Sequence, residues 1–218
     1  MLHVDKIVNR VFNSNTYVLR AEGSRDVWLV DCGDTARVLE LLKPEEKVVG
    51  VLLTHGHSDH IYGLNELTAA FPEVKIYTTE FGLQELQSSK LNFSRYHEEY
   101  EAFVVEKVEN VCVLAASTSL SINSIATLDV CGEECKVYAT PGHDPSCLCY
   151  VVGGYLFTGD AYIPGVKVVT NFPKSNKQQA AESLERILTL AEGLGSTGLD
   201  NLTNRKPLTI MPGHTIIS

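Results

Sequence analysis

The sequence predicts an α/β protein in which two β-sheets pack together with helices outside. Three observations carry that expectation. Apolar strand-like runs recur in both halves of the 218-residue chain, helix-like stretches follow several of them, and no repeat, low-complexity tract or linker divides the halves. A composition of 44% hydrophobic and 21% charged residues suits one domain, 1–218, with a sizeable core.

In chain order, 6–8, 15–19 and 27–30 read as strands, and 35–42 reads as a helix stopped by Pro44. The apolar run Val48-Val49-Gly50-Val51-Leu52-Leu53 fits a buried strand. A helix-like stretch at 61–70 ends before Pro72, and Val74-Lys75-Ile76-Tyr77 is the next strand. Residues 81–103 read as largely helical, with Gly82 and Asn92-Phe93-Ser94 as interruptions. In the second half, 111–114, 147–152, 155–157 and 208–211 read as strands, and alternation on both sides of Gly132 makes a hairpin. Residues 177–191 form an amphipathic helix with Ala180, Leu184, Ile187, Leu188 and Ala191 at helical spacing. The glycine-rich stretch 193–198 reads as a surface loop.

Bulk chemistry narrows the function. A net charge of −9 argues against nucleic-acid binding, which relies on clustered Lys and Arg. No apolar stretch approaches a membrane span, and the N-terminus lacks a signal-peptide pattern, so cytoplasmic location is expected. The six cysteines are then expected as packing residues rather than disulfides, with Cys131 and Cys135 facing each other across the hairpin and Cys147 and Cys149 sharing a strand face.

The chemistry gathers at four strand ends: Thr54-His55-Gly56-His57-Ser58-Asp59-His60, Thr140-Pro141-Gly142-His143-Asp144, Phe157-Thr158-Gly159-Asp160 and Met211-Pro212-Gly213-His214. Packed groups of this kind are costly to desolvate unless something satisfies them, and a metal ion would. His55 and His57, two apart on an extended backbone, share a face and suit one metal. Asp59 and His60 fall where the chain turns into the next helix and suit a second. With His143, Asp160 and His214 the set holds five histidines and two aspartates, too many for one tetrahedral ion and suited to two, one aspartate bridging. His3 and His97 belong to no such segment and are left aside.

The H-x-H-x-D-H run, the T-P-G-H and T-G-D segments and the final P-G-H, in this order, resemble the metallo-β-lactamase superfamily, and most of all its glyoxalase II-like small hydrolases. Asn15-Thr16-Tyr17 and Val30-Asp31-Cys32-Gly33 also look like that family's early strands. The resemblance implies a four-layer αββα sandwich of two mixed sheets. It implies that His55, His57 and His143 hold one metal, that Asp59, His60 and His214 hold another, and that Asp160 bridges. Two divalent ions are expected, zinc first, with iron or manganese as alternatives.

The implied activity is hydrolysis of a small thioester, ester or lactone-like substrate by water that the metals acidify, with Asp59 orienting it or passing a proton. A phosphodiesterase on the same scaffold and a mononuclear iron persulfide dioxygenase are the alternatives; His60 and His214 complete a second site and favour hydrolysis. The segment Asp160-Ala161-Tyr162-Ile163-Pro164-Gly165-Val166-Lys167 lacks the basic, cysteine- and glycine-rich character of glutathione-cleaving relatives. Only four residues follow His214, which leaves no room for their helical region, so glutathione is disfavoured. Tyr162 and Lys167 remain candidates for substrate contact, and 81–105 with the loop after Asp160 is the expected pocket.

Overall fold

The computed structural model describes residues 1–114, 123–192 and 206–216. Two sheets divide the chain in sequence order. The first contains β1 (Leu2–Val8), β2 (Asn15–Ala21), β3 (Asp26–Val30), β4 (Lys47–Leu52), β5 (Lys75–Thr79) and β6 (Val111–Leu114), in that spatial order. β1, β2 and β3 pair antiparallel, then β3 to β6 run parallel. The parallel crossovers hold α1 (Thr35–Leu41), α2 (Ser58–Ile61), α3 (Leu64–Ala70) and α4 (Glu80–Leu86). The second sheet has the order β11-β10-β9-β8-β7, from β7 (Ala126–Val130), β8 (Glu133–Ala139), β9 (Leu148–Val152), β10 (Tyr155–Gly159) and β11 (Thr209–Pro212). Only its β10–β11 pair is parallel. The helix α5 (Lys177–Ala191) covers its outer face.

Three apolar clusters fill the three spaces of a helix–sheet–sheet–helix stack. Val18, Val27, Leu29, Val51 and Ile76 meet Val38, Ile61, Leu64, Leu67 and Leu86 beneath the first helical layer. Tyr17, Leu19, Val30 and Leu52 meet Val137, Leu148, Tyr150 and Phe157 between the sheets. Tyr138, Cys149 and Leu156 meet Ile187 and Leu190 under α5. Alternate residues of β2 and β3 therefore enter different cores, as the two-residue period of a strand requires. β4 is covered on both faces, which is why it reads as an unbroken apolar run. Its one gap, Gly50, lies under the Trp28 ring, where a Cβ would come within 2.3 Å.

Several sequence expectations need correction. The region 81–103 is helical only to Leu86. At the expected interruption Phe93 takes a left-handed φ of 66°, Asn92 Oδ1 accepts from Ser94 N–H at 2.9 Å and Ser94 Oγ bonds the Phe103 backbone, and beyond it only the short 3-10 turn Ser94–Tyr96 follows where more helix was expected. The buried face of α5 is Ala180, Ser183, Arg186, Ile187 and Leu190, while Leu188 is 43% exposed. Polar residues occupy inward positions because Ser183 and Arg186 donate to the carbonyls of Pro141 and Ala139. Cys131 does not face Cys135. It forms the hairpin turn with Gly132, both at positive φ, and Cys135 pairs with Leu128. All six cysteines are free. The stretch 193–198 lies outside the described residues. No described helix is long and apolar enough to cross a membrane.

The loop that starts α1 is pinned by Asp34. Its carboxylate accepts from the Arg10 backbone N–H at 2.8 Å and from Arg10 Nε at 2.9 Å. Burial alone would raise this carboxyl, but the Arg10 bonds outweigh it and hold it below the usual range. A depressed native pKa gives stability that is complete above the unfolded-state value and lost as pH falls through the native one. Asp34→Asn should therefore lower unfolding free energy by about 1–3 kcal/mol above about pH 5. In urea melts across pH, the deficit should shrink on acidification.

Candidate metal centre

All four strand-end segments meet at one edge of the sandwich. His55 and His57 follow β4, Asp59 and His60 sit on α2, His143 follows β8, Asp160 follows β10 and His214 follows β11. Their side-chain nitrogens and oxygens form three overlapping groups, His55/His57/His143, His55/His60/Asp160 and Asp59/His60/His214, in each of which the atoms lie within 4.8 Å of one another. His143 Nε2 is 3.1 Å from His57 Nδ1, and His60 Nε2 is 3.2 Å from His214 Nε2. Asp160 lies between the halves, with Oδ2 3.7 Å from His143 Nε2 and 3.3 Å from His214 Nε2, and Oδ1 3.5 Å from His60 Nε2. Asp59 Oδ2 is 3.3 Å from His214 Nε2.

The far side of each imidazole faces a fixed partner. His55 Nδ1 contacts Thr54 Oγ1 at 3.1 Å, and His60 Nδ1 donates to Asp31 Oδ2 at 2.9 Å. His143 Nδ1 donates to the Val169 carbonyl and His214 Nδ1 to the Phe12 carbonyl, each at 2.9 Å. His57 Nε2 faces Asp144 Oδ2 at 3.5 Å. This arrangement selects the tautomer and turns the other nitrogen of each ring toward the shared space. His55 Nε2 and Asp160 Oδ1 are buried without any hydrogen-bond partner. Leaving such atoms unsatisfied costs about 1–3 kcal/mol each, and a divalent cation satisfies both, so the set fits a metal by its chemistry as well as its shape.

Electrostatics divide the two halves. Burial, with His60 and His57 beside it, pushes His55 well below the usual histidine range, and burial also lowers His143. Burial would lower His60 too, but Asp59, Asp160 and Asp31 overcome it and hold His60 well above. His214 is raised against its own burial by its bond to Asp160. Burial would raise Asp160; the His60 and His214 charges instead hold it well below the carboxylate range.

Backbone geometry brings the segments this close. A Cβ on Gly213 would meet Asp160 Oδ1 at 2.2 Å, and one on Gly142, at φ 139°, would meet the Ala180 nitrogen at 2.2 Å. Asn15 Nδ2 and Tyr17 Oη both donate to the Pro212 carbonyl, which ties the early strand to the His214 turn.

The centre opens into a cleft of about 220 Å³ whose lining includes His57, Asp59, His143, Asp160 and His214. A second cavity of about 430 Å³ adjoins it, sharing Phe93, His97 and Phe172. His97, set aside in the sequence, thus lines both; only spatial proximity reveals it. Tyr162 packs partly buried against the α5 core and Lys167 is exposed, and neither lines either cavity. Asp31 and Asp144 lay within segments the sequence singled out but were given no role there, and Glu85 carried no sequence signal; it is fully buried, its oxygens have no hydrogen-bond partner among the described residues, and burial and Asp144 raise its carboxyl well above its range.

Residues 9–120, just over half of the chain, match the model of the metallo-beta-lactamase superfamily, and the chain belongs to that superfamily. Hydroxyacylglutathione hydrolase of Enterobacter sp. (strain 638) is 29% identical over 182 residues, 83% of this chain and 59% of the relative. The chain therefore spans about three fifths of that protein's length. Among solved structures, BLEG-1 B3 metallo-beta-lactamase superposes with a TM-score of 0.71 at 21% identity, covering 84% of each chain. TTHA1623 in a di-iron-bound form superposes with a TM-score of 0.67 at 20% identity, covering 97% of this chain and 92% of its own. Both share the αββα fold. Because Asp31 fixes the outward face of His60, Asp31→Ala should weaken zinc affinity by about 10–100-fold, read by competition with a chromogenic chelator.

Proposed function

We propose that this chain is a hydrolase holding two divalent ions, zinc in the first place, and cleaving a small thioester, ester or lactone-like substrate. One observation carries the reading. Seven imidazole and carboxylate groups from four strand ends turn ligand atoms toward a shared space, and His55 Nε2 and Asp160 Oδ1 there lack a hydrogen-bond partner among the described residues. In this reading His55, His57 and His143 would hold one ion, Asp59, His60 and His214 would hold the other, and Asp160 would serve both. The hydrolase name of the Enterobacter relative supports acyl-bond cleavage, and the di-iron form of TTHA1623 makes iron the main rival to zinc.

Bound there, the ions supply Lewis acidity that makes water a nucleophile near neutral pH and polarises a carbonyl oxygen. The chain's own groups do the rest. Asp59, lining the cleft, orients the attacking water and takes its proton. As the acyl–sulfur or acyl–oxygen bond breaks, that proton goes to the departing thiolate or alkoxide, and the water oxygen stays on the acyl carbon. The Phe93 and Phe172 rings, with centroids 4.9 and 5.0 Å from that of His57, exclude bulk water from the same wall.

Protein purified without chelators or a histidine tag should carry close to two divalent ions per chain by plasma mass spectrometry, and Asp160→Ala should lower that sharply. A single iron, or no metal after incubation with zinc, would sink the dinuclear assignment. Metal-free His60 and His214 hold their protons above the usual histidine pKa, so loading that half releases protons. Zinc titrations should accordingly show the second ion leaving first as pH falls.

A further inference from the structure

The larger cavity beside the centre has a lining unlike the centre itself. Phe81, Leu91, Phe93, Tyr96 and Phe172 make it largely aromatic, and about 430 Å³ is the size of a small-ligand site. Two buried carboxylates also line it, Glu85 and Asp144, the latter accepting from Ser146 N–H and Oγ at 2.7 Å, and two cations stand at its exposed edge. Lys90, after α4, and Lys174, before α5, both line the cavity, both are exposed, and neither has an ion pair or hydrogen bond among the described residues. In a chain of net charge −9, two unpaired lysines from distant segments meeting at one aromatic cavity form a local positive rim. Burying apolar surface while an anion meets these ammonium groups requires a ligand with both properties.

We propose that this cavity is the specificity subsite of the hydrolase and takes an aryl or other bulky apolar group that ends in an anion. The scissile bond then lies across Phe93 and Phe172, which border both cavities. Lys90 and Lys174 are binding residues for the anionic end, acting as point charges. The subsite rests on the hydrolase reading for its purpose, but its binding is measurable without turnover.

Calorimetric titration of the metal-loaded protein with 2-naphthoate and with uncharged 2-naphthamide tests the subsite. Naphthoate should bind about two- to tenfold tighter than naphthamide. That preference should fall as salt rises and vanish in Lys90→Met/Lys174→Met. Both lysines are exposed, so that variant should keep its fold. Tyr96→Ala, at a 60% exposed ring, should weaken both ligands alike. Equal binding of the two ligands by the wild type would overturn the proposal. So would a preference that survives loss of both lysines, since the carboxylate would then sit on the metals. Naphthoate binding as expected with no ester or thioester hydrolysed would retain the subsite and refute the hydrolase; hydrolysis without a lysine-dependent preference would do the reverse.

Discussion

Asp31 commits both oxygens of a buried carboxylate to the segment that follows β4. Oδ1 accepts from the Thr54 backbone N–H at 2.7 Å, and Oδ2 accepts from Thr54 Oγ1 at 2.7 Å and from His60 Nδ1 at 2.9 Å. Thr54 Oγ1 in turn lies against His55 Nδ1. One side chain at the end of β3 therefore orients two of the five histidines and the turn between them. It does so from a left-handed backbone at φ 57°, a conformation that costs an ordinary residue about 1–3 kcal/mol. Backbone bonds lock the same corner: Asp31 N–H to the Leu52 carbonyl, Cys32 N–H to the His60 carbonyl and Gly63 N–H to the Cys32 carbonyl. A buried charge that bonds three partners is tolerable; the same charge with one partner removed is expensive. The corner is accordingly all-or-none, and the centre is built on it.

The rest of the architecture delivers the other ligand groups to that corner. Parallel pairing of β10 with β11 brings the Gly159 and Pro212 turns side by side, so Asp160 and His214 arrive together although 54 residues separate them in the chain. The α5 cap works on the remaining segment. Asn176 Oδ1 accepts from Gln178 and Gln179 N–H at 3.0 Å, while its own N–H donates to the Gly142 carbonyl, which holds the His143 loop against the helix. Charge then separates the two halves of the centre. Burial pushes His55 and His143 below the usual histidine range, while Asp59, Asp160 and Asp31 hold His60 above it and the bond to Asp160 raises His214.

Much of this was legible in the sequence, and for local reasons. β4 showed as an apolar run because both its faces are covered, the hairpin showed through its alternation, and α5 showed through its helical period. The seven polar residues stood out because a strand end packed with histidine has no apolar use. The failures were also local. The break at Asn92-Phe93-Ser94 was marked in the sequence, but the helix expected over 81–103 already ends at Leu86, and Asn92 and Ser94 bond the backbone of the loop that follows. Within α5, Leu188 looked like core, whereas Ser183 and Arg186 took inward places by finding carbonyl acceptors on the neighbouring loop.

By itself the sequence determined the two-sheet α/β class, the position of each strand end and the identity of the residues gathered there. Periodicity and residue chemistry are properties of short windows, and short windows are what a sequence displays. Only the tertiary structure decided which nitrogen of each imidazole faces inward, that Asp31 and Asp144 stand behind His60 and His57, and that an aromatic cavity with Lys90 and Lys174 adjoins the centre while Tyr162 and Lys167 do not. Those outcomes depend on contacts such as His57 with His143 and His60 with His214, 86 and 154 residues apart. Strand order and register create such contacts, and neither is written in any one stretch of the chain.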